Sequence, residues 1–185
     1  MVIGAGVLLL GVSATAVSFN RFVTQGQLIS NAWSNVDTEL RRRYDLIPNL
    51  VRTVQGYATH EREVLHGVVE ARNRAVAQSG DVREQIGPEQ TLVRRLQSML
   101  ALAEAYPTLK ADAHFLDLQR ELAITEDRIQ AARRLFNGNV REYNRRVESL
   151  PSNVVALIGG FRRRDYFEID AAVRDAGPPS VETTA

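Results

Sequence analysis

The 185-residue chain has no cysteine, a single lysine (Lys110) and only three histidines. Without cysteine there is no disulfide, no thiolate zinc or iron–sulfur ligand, no cysteine nucleophile and no lipidated cysteine. That absence is compatible with either side of a membrane. The 23 basic and 22 acidic residues leave a net charge of +1, so no overall field gathers a polyanion. No segment shows the two-residue alternation of a strand, and a nucleophile elbow and a phosphate loop are both missing.

The histidines do not supply a metal motif. In "HEREVLH" (His60–His66) a zincin helix needs histidines four apart, but position 64 is valine. The di-iron pattern needs two E-x-x-H motifs, but Tyr57 and Ala111 stand three residues before His60 and His114, which leaves only Glu63–His66. "GAGVLLLG" (Gly4–Gly11) lacks the spacing of a dinucleotide loop, and no strand–helix alternation follows it. No catalytic residue, metal ligand or cofactor-binding residue is therefore expected.

What is present begins with a run free of charge from Val2 to Phe19. As a helix it would extend roughly 27 Å, close to the hydrocarbon thickness of a bilayer of about 30 Å. Extension to Val23, with Arg21 at the interface, predicts a transmembrane anchor over 1–23. A cleaved signal peptide is the rival reading, with "ATA" at Ala14–Ala16 resembling a cleavage site, although no basic residue precedes the run. Arg21 and Arg41–Arg43 follow the run, and the positive-inside tendency places the bulk of the protein in the cytoplasm. Gly4, Gly11, Thr15 and Ser18 share a helical face that would let another membrane helix approach closely.

"TQGQ" (Thr24–Gln27) reads as a polar break within a linker over 24–30. Beyond it the apolar positions follow a coiled-coil-like 3–4 alternation: Trp33, Val36, Leu40, Ile47, Leu50, Val54, Tyr57, Val64, Val68, Ala71 and Ala75. Arg43 and Glu61 occupy seam positions where apolar residues belong. The phase is the same before and after Pro48, which predicts one kinked helix over about Leu28–Gln78. Arg41, Arg42 and Arg43 then fan over about 200° of the helix and cannot form one binding face. Asp37, Asp45 and Glu39 stand one turn away, so local pairing is expected and nucleic-acid binding is not.

"SGDVREQIGP" (Ser79–Pro88) reads as the next break, with Pro88 opening a helix that carries Leu92, Leu96, Met99, Leu100 and Ala103 and ends at Tyr106–Pro107. A third helix carries Phe115, Leu118, Leu122, Ile129, Phe136, Val140, Tyr143 and Val147 and stops at Pro151. "SNVVALIGG" supplies a short helix capped by Ser152 and closed by Gly159–Gly160. "FRRRDYFEI" reads as an arm whose Phe161, Tyr166 and Phe167 pack back on the body. A partly disordered tail over 168–185 is expected. The fold class is all-α, an elongated antiparallel four-helix bundle over 31–167 with two long helices of roughly 75 Å and 60 Å.

Polar residues on the inward positions form the one candidate network or docking site: Arg43, Asp45, Asn49, Glu61, Arg133, Asn137 and Asn144. Such a network would fix helix register, or else line a polar pocket.

The segments "NAWSNVDTELRRRYDLIPNLVRTVQGYATHEREVL" (Asn31–Leu65), "EARNRA" (Glu70–Ala75), "AYPTLKAD" (Ala105–Asp112), "ARRLFNGNVREYN" (Ala132–Asn144) and "LPSNVVALIGGF" (Leu150–Phe161) together resemble the LemA family. Phe136, where the family commonly has tyrosine, and the arginine-rich "FRRRDYF" are the departures. The resemblance implies a bacterial membrane protein with one N-terminal span, a small N-terminus outside and a helical bundle inside. It implies no reaction, and its links to envelope stress, a membrane metalloprotease and magnetosome membranes concern relatives. The expected function is a membrane-anchored scaffold or adaptor without catalytic activity. The alternative is a ligand-binding or regulatory subunit of a membrane enzyme. Membrane lipid and either further copies of the chain or a membrane protein are the partners implied; no small-molecule substrate is.

Overall fold

The computed structural model describes residues 2–78 and 80–168, with side chains from residue 12 onward. Among them lie six helices: α1 (Val2–Tyr57), α2 (Arg62–Ala77), α3 (Val82–Ala103), α4 (Pro107–Lys110), α5 (Ala113–Glu148) and α6 (Ser152–Gly159). No strand occurs among the described residues, so the protein is an all-α helical bundle. Beyond Glu168 the expected tail lies outside the described residues, as do the side chains of 2–11 in the expected anchor. Among the described residues no helix is long and apolar enough to cross a membrane.

The chain falls into two compact units, Met1–Asn35 with Ala132–Tyr166, and Val36–Ala131 with Phe167–Ala185. In the first, α1 and α5 run antiparallel. Phe22 meets Tyr143 edge-on at 5.7 Å, and Trp33 meets Phe136 at 5.4 Å. Thr24–Gln27, expected as a break, is helical. Phe22, Ile29 and Ala32 are buried on either side of it, and that packing carries the helix through residues whose own preference is weak.

The C-terminal part of this unit is fixed by backbone chemistry. Gly160 adopts the left-handed conformation (φ 70°), where a side chain would be strained. The Phe161 N–H donates to the Ala156 carbonyl at 2.9 Å and the Gly160 N–H to that of Leu157, closing α6 in a Schellman turn. Phe161 then stacks on Phe22 with ring centroids 4.8 Å apart and touches Phe19 at 5.2 Å. Ser152 does not cap α6. Its hydroxyl reaches the Arg146 and Ser149 carbonyls at 2.8 and 2.9 Å, satisfying the end of α5 instead. Phe167, which belongs to the second unit, is fully buried.

In the second unit α1 passes through Pro48 without interruption and ends at Tyr57, so the expected helix to Gln78 is two helices. The turn over 58–61 has no glycine or proline. It is four residues long and places the buried Ala58 and Leu65 seven apart, which preserves the phase although Tyr57, expected on the seam, is exposed. Periodicity reports which face is buried but not the direction of the chain, and here α2 folds back along α1. The helix after it starts at Val82 rather than at Pro88. Asp81 caps it, its carboxylate accepting from the Arg83 N–H at 2.8 Å, and Pro88 lies inside. At the start of α5, Asp112 accepts from the Phe115 N–H at 2.8 Å and from the Tyr57 hydroxyl at 2.9 Å. Those two bonds, the backbone one foremost, hold its carboxyl below the ordinary range.

The proline has a structural partner. Without an N–H, Pro48 leaves the Tyr44 carbonyl with no helical donor. Arg72 of α2 supplies one, its Nε donating at 3.2 Å. Removing this donor by Arg72→Met is expected to cost about 1–2 kcal/mol in denaturant unfolding. In a Pro48→Ala background, where the helix supplies its own donor, the same change is expected to cost less than half as much.

Candidate functional site

The second unit is built around a charge that cannot be discharged. Arg43 projects from the inner face of α1, between Leu40 and Ile47, and is fully buried. Guanidinium groups stay protonated at any ordinary pH, so burial demands carboxylate partners. Glu89 of α3, also fully buried, is in direct contact with the Arg43 Nη2. Glu126 of α5 accepts from Nη1 at 2.7 Å, with its side chain 30 % exposed.

Glu89 is held by neutral donors. The Tyr44 hydroxyl donates to its Oε1. Gln85, one turn before Glu89 on α3, offers its amide to Glu89 Oε1 at 3.0 Å, to Tyr44 Oη at 2.8 Å and to the Ala75 carbonyl of α2 at 3.1 Å. Two amide hydrogens serve these three acceptors, two at a time. The Arg43 Nε and Gln85 Oε1 have no partner. Burial lifts the Tyr44 hydroxyl from 10 to about 12, against the opposing charge of Arg43. It therefore remains a donor throughout the neutral range.

The expected residues divide sharply. Arg43 is at the centre, but it pairs with Glu89 and Glu126 rather than with Glu39. Asp45 and Asn49 are exposed, and Asn49 accepts from Arg52 on its own helix. Glu61 is half-buried in the α1–α2 turn, with the Tyr106 hydroxyl 3.5 Å away. Arg133 is buried and Asn137 half-buried in the first unit. Asn144, also there and buried, is committed to the chain itself. Its Nδ2 donates to the Arg164 carbonyl at 2.9 Å and its Oδ1 accepts from the Arg164 N–H at 2.8 Å. Arg41 meets Asp37 at 2.8 Å, the local pairing expected of it.

Tyr44, Gln85, Glu89 and Glu126 were not anticipated. Gln85 and Glu89 continue the Leu92, Leu96, Met99 stripe backward in steps of three and four, which is the signal that marks them as inward. Reading Pro88 as a helix start hid it. All three histidines are exposed, and among the described residues no group of three or more His, Asp and Glu is placed to hold a metal ion.

A helical bundle whose buried charges are satisfied by its own side chains defines a structural class rather than a reaction. The sequence profile of the LemA family matches residues 32–182, and the chain belongs to that family. It is 24% identical over 182 residues to the magnetosome protein MamQ 2 of Paramagnetospirillum magneticum, covering 85% of this chain and 67% of the relative. Magnetosome protein MamQ of Magnetospirillum gryphiswaldense is 24% identical over 181 residues, with 84% and 66% covered. Protein LemA of Metamycoplasma hominis is 23% identical over 137 residues, with 74% and 63% covered. The chain thus spans about two thirds of the length of each relative.

Breaking a buried pair leaves an uncompensated charge, so Arg43→Met is expected to cost about 3–5 kcal/mol in chemical unfolding. Arg43→Met with Glu89→Leu is expected to recover more than half of that loss, because Glu126 can turn to water. Tyr44 supplies a pH signature. Its folded pKa is raised, so its contribution is complete below pH 10 and is lost as the pH rises towards about 12. Tyr44→Phe is expected to make the alkaline fall in stability shallower over that window.

Proposed function

We propose that the protein is a membrane-anchored helical scaffold or adaptor without catalytic activity, acting by self-association or by docking a membrane partner. The observation that carries this reading is the continuity of α1. One helix begins at Val2 in the uncharged run and continues to Tyr57, with Phe22, Ile29, Val36, Leu40, Ile47 and Val54 along it buried. A single span over the first part of α1 attaches the folded body to a bilayer without an intervening linker. The domain then lies on the cytoplasmic side, where the following arginines favour it.

The polar chemistry supports the same reading. Arg43, Glu89, Tyr44 and Gln85 are occupied by one another, and Asn144 by the chain's own backbone. Groups so engaged tie helices together and present nothing to a substrate. Relatives that carry the name of magnetosome proteins agree with a role at a bilayer.

The test is extraction of the full chain from cell membranes. It is expected to stay with the membrane in high salt and in alkaline carbonate. Leu9→Arg, a charge near the middle of the uncharged run, costs about 3 kcal/mol of insertion and is expected to shift the protein towards the soluble fraction. Release of the unaltered protein by carbonate would refute the anchor. Crosslinking in those membranes is expected to trap a second copy or a neighbour, and a strictly monomeric, isolated chain would refute the scaffold.

A further inference from the structure

Helix α6 buries almost nothing. Ala156 is its only buried residue, while Leu157 is 84% exposed and Ile158 80%. Val154 on the helix and Leu150 just before it are also exposed. Positions 154, 157 and 158 fall on one face of α6, so the exposure there is a continuous apolar stripe rather than scattered residues. The opposite side of α6 is fixed. A Cβ on Gly159 would lie 2.6 Å from the Phe161 ring and 3.3 Å from that of Phe19. Helix α6 is thus held against α1 where the uncharged run ends, with the stripe on its free side.

Charge surrounds the same place. Arg162, Arg163 and Arg164 follow Phe161 and are exposed, and exposed Arg21 precedes Phe22, the residue on which Phe161 stacks. Arg163 is partly neutralised by Glu148 at 3.0 Å, both still more than half solvated. An apolar face flanked by arginines is the pattern of a helix lying in a bilayer interface. At eight residues α6 reaches about 12 Å, too short to cross.

We infer that α6 and the arginines after it form a second membrane contact, a bilayer surface with anionic headgroups being its occupant. The apolar stripe enters the headgroup–acyl boundary while the guanidinium groups meet lipid phosphates. The alternative occupant is a second copy of the chain. Two copies paired through this face would bring their arginine clusters together, and like charges disfavour that. The inference rests on the anchored reading above and adds a surface that reading does not require.

The lack of cysteine makes the test direct. Single Val17→Cys, Ile158→Cys and Arg134→Cys variants of the full chain, each carrying an environment-sensitive dye, are compared in phosphatidylcholine vesicles with and without phosphatidylglycerol. Quenching by brominated lipid is expected at positions 17 and 158 but not at the solvent-exposed position 134. Quenching at 158 is expected to require phosphatidylglycerol. Replacing Arg162 and Arg163 with alanine is expected to weaken the association read at 158 by about fivefold per arginine. Quenching at 17 with none at 158 overturns the inference and leaves the anchor standing. Quenching at neither position overturns both. A blue shift at 158 that depends on protein concentration in lipid-free detergent assigns the face to a second copy and also overturns the inference.

Discussion

Arg43 imposes the constraint around which the second unit is organised. Its charge is permanent and its position has no solvent, so its carboxylate partners must come from other helices. Glu89 answers from α3 and Glu126 from α5. Tyr44, beside Arg43 on α1, and Gln85 on α3 then saturate Glu89, and Gln85 extends the network to the Ala75 carbonyl of α2. Every long helix of the unit therefore contributes a polar atom to one cluster. Such a cluster adds little net stability over a greasy core, but a helix that slips by one turn leaves an ion without its counterion. Apolar side chains of similar size would tolerate that slip.

The same logic recurs with neutral groups. Pro48 orphans the Tyr44 carbonyl, and Arg72 comes from α2 to satisfy it. In the first unit the peptide of Arg164 belongs to no regular element, and Asn144 completes both its N–H and its carbonyl. Buried polar groups are answered in each case by residues distant in sequence.

Much of this organisation was legible in the sequence, and what was not has definite causes. The 3–4 spacing identified the buried faces of α1, α3 and α5, and carried α1 correctly through Pro48. It failed at 58–61, because a four-residue reversal preserves the spacing and offers no turn residue. At Pro88 the spacing holds and the proline rule misleads, since Asp81 has already capped the helix and Gln85 and Glu89 continue its buried stripe. Composition marks Thr24–Gln27 as a break, whereas aromatic packing on either side keeps it helical. Within the candidate site Arg43 was visible as a charge in an apolar seam. Its partners were not, since pairing between helices depends on three-dimensional register that no local pattern records. Asp45 and Asn49 shared the neighbourhood of Arg43 in sequence but face water.

The distance between Arg43 and Glu126 along the chain has a consequence during synthesis. Glu126 is made 83 residues after Arg43, so this pair cannot close until most of the chain has been synthesised. Until then the core of the second unit lacks one of the two carboxylates that neutralise its buried charge. Once the bundle closes, the same side chain is sealed inside and contributes nothing at the surface. One residue thus makes the closing of the second unit wait on the helix that is synthesised last within it.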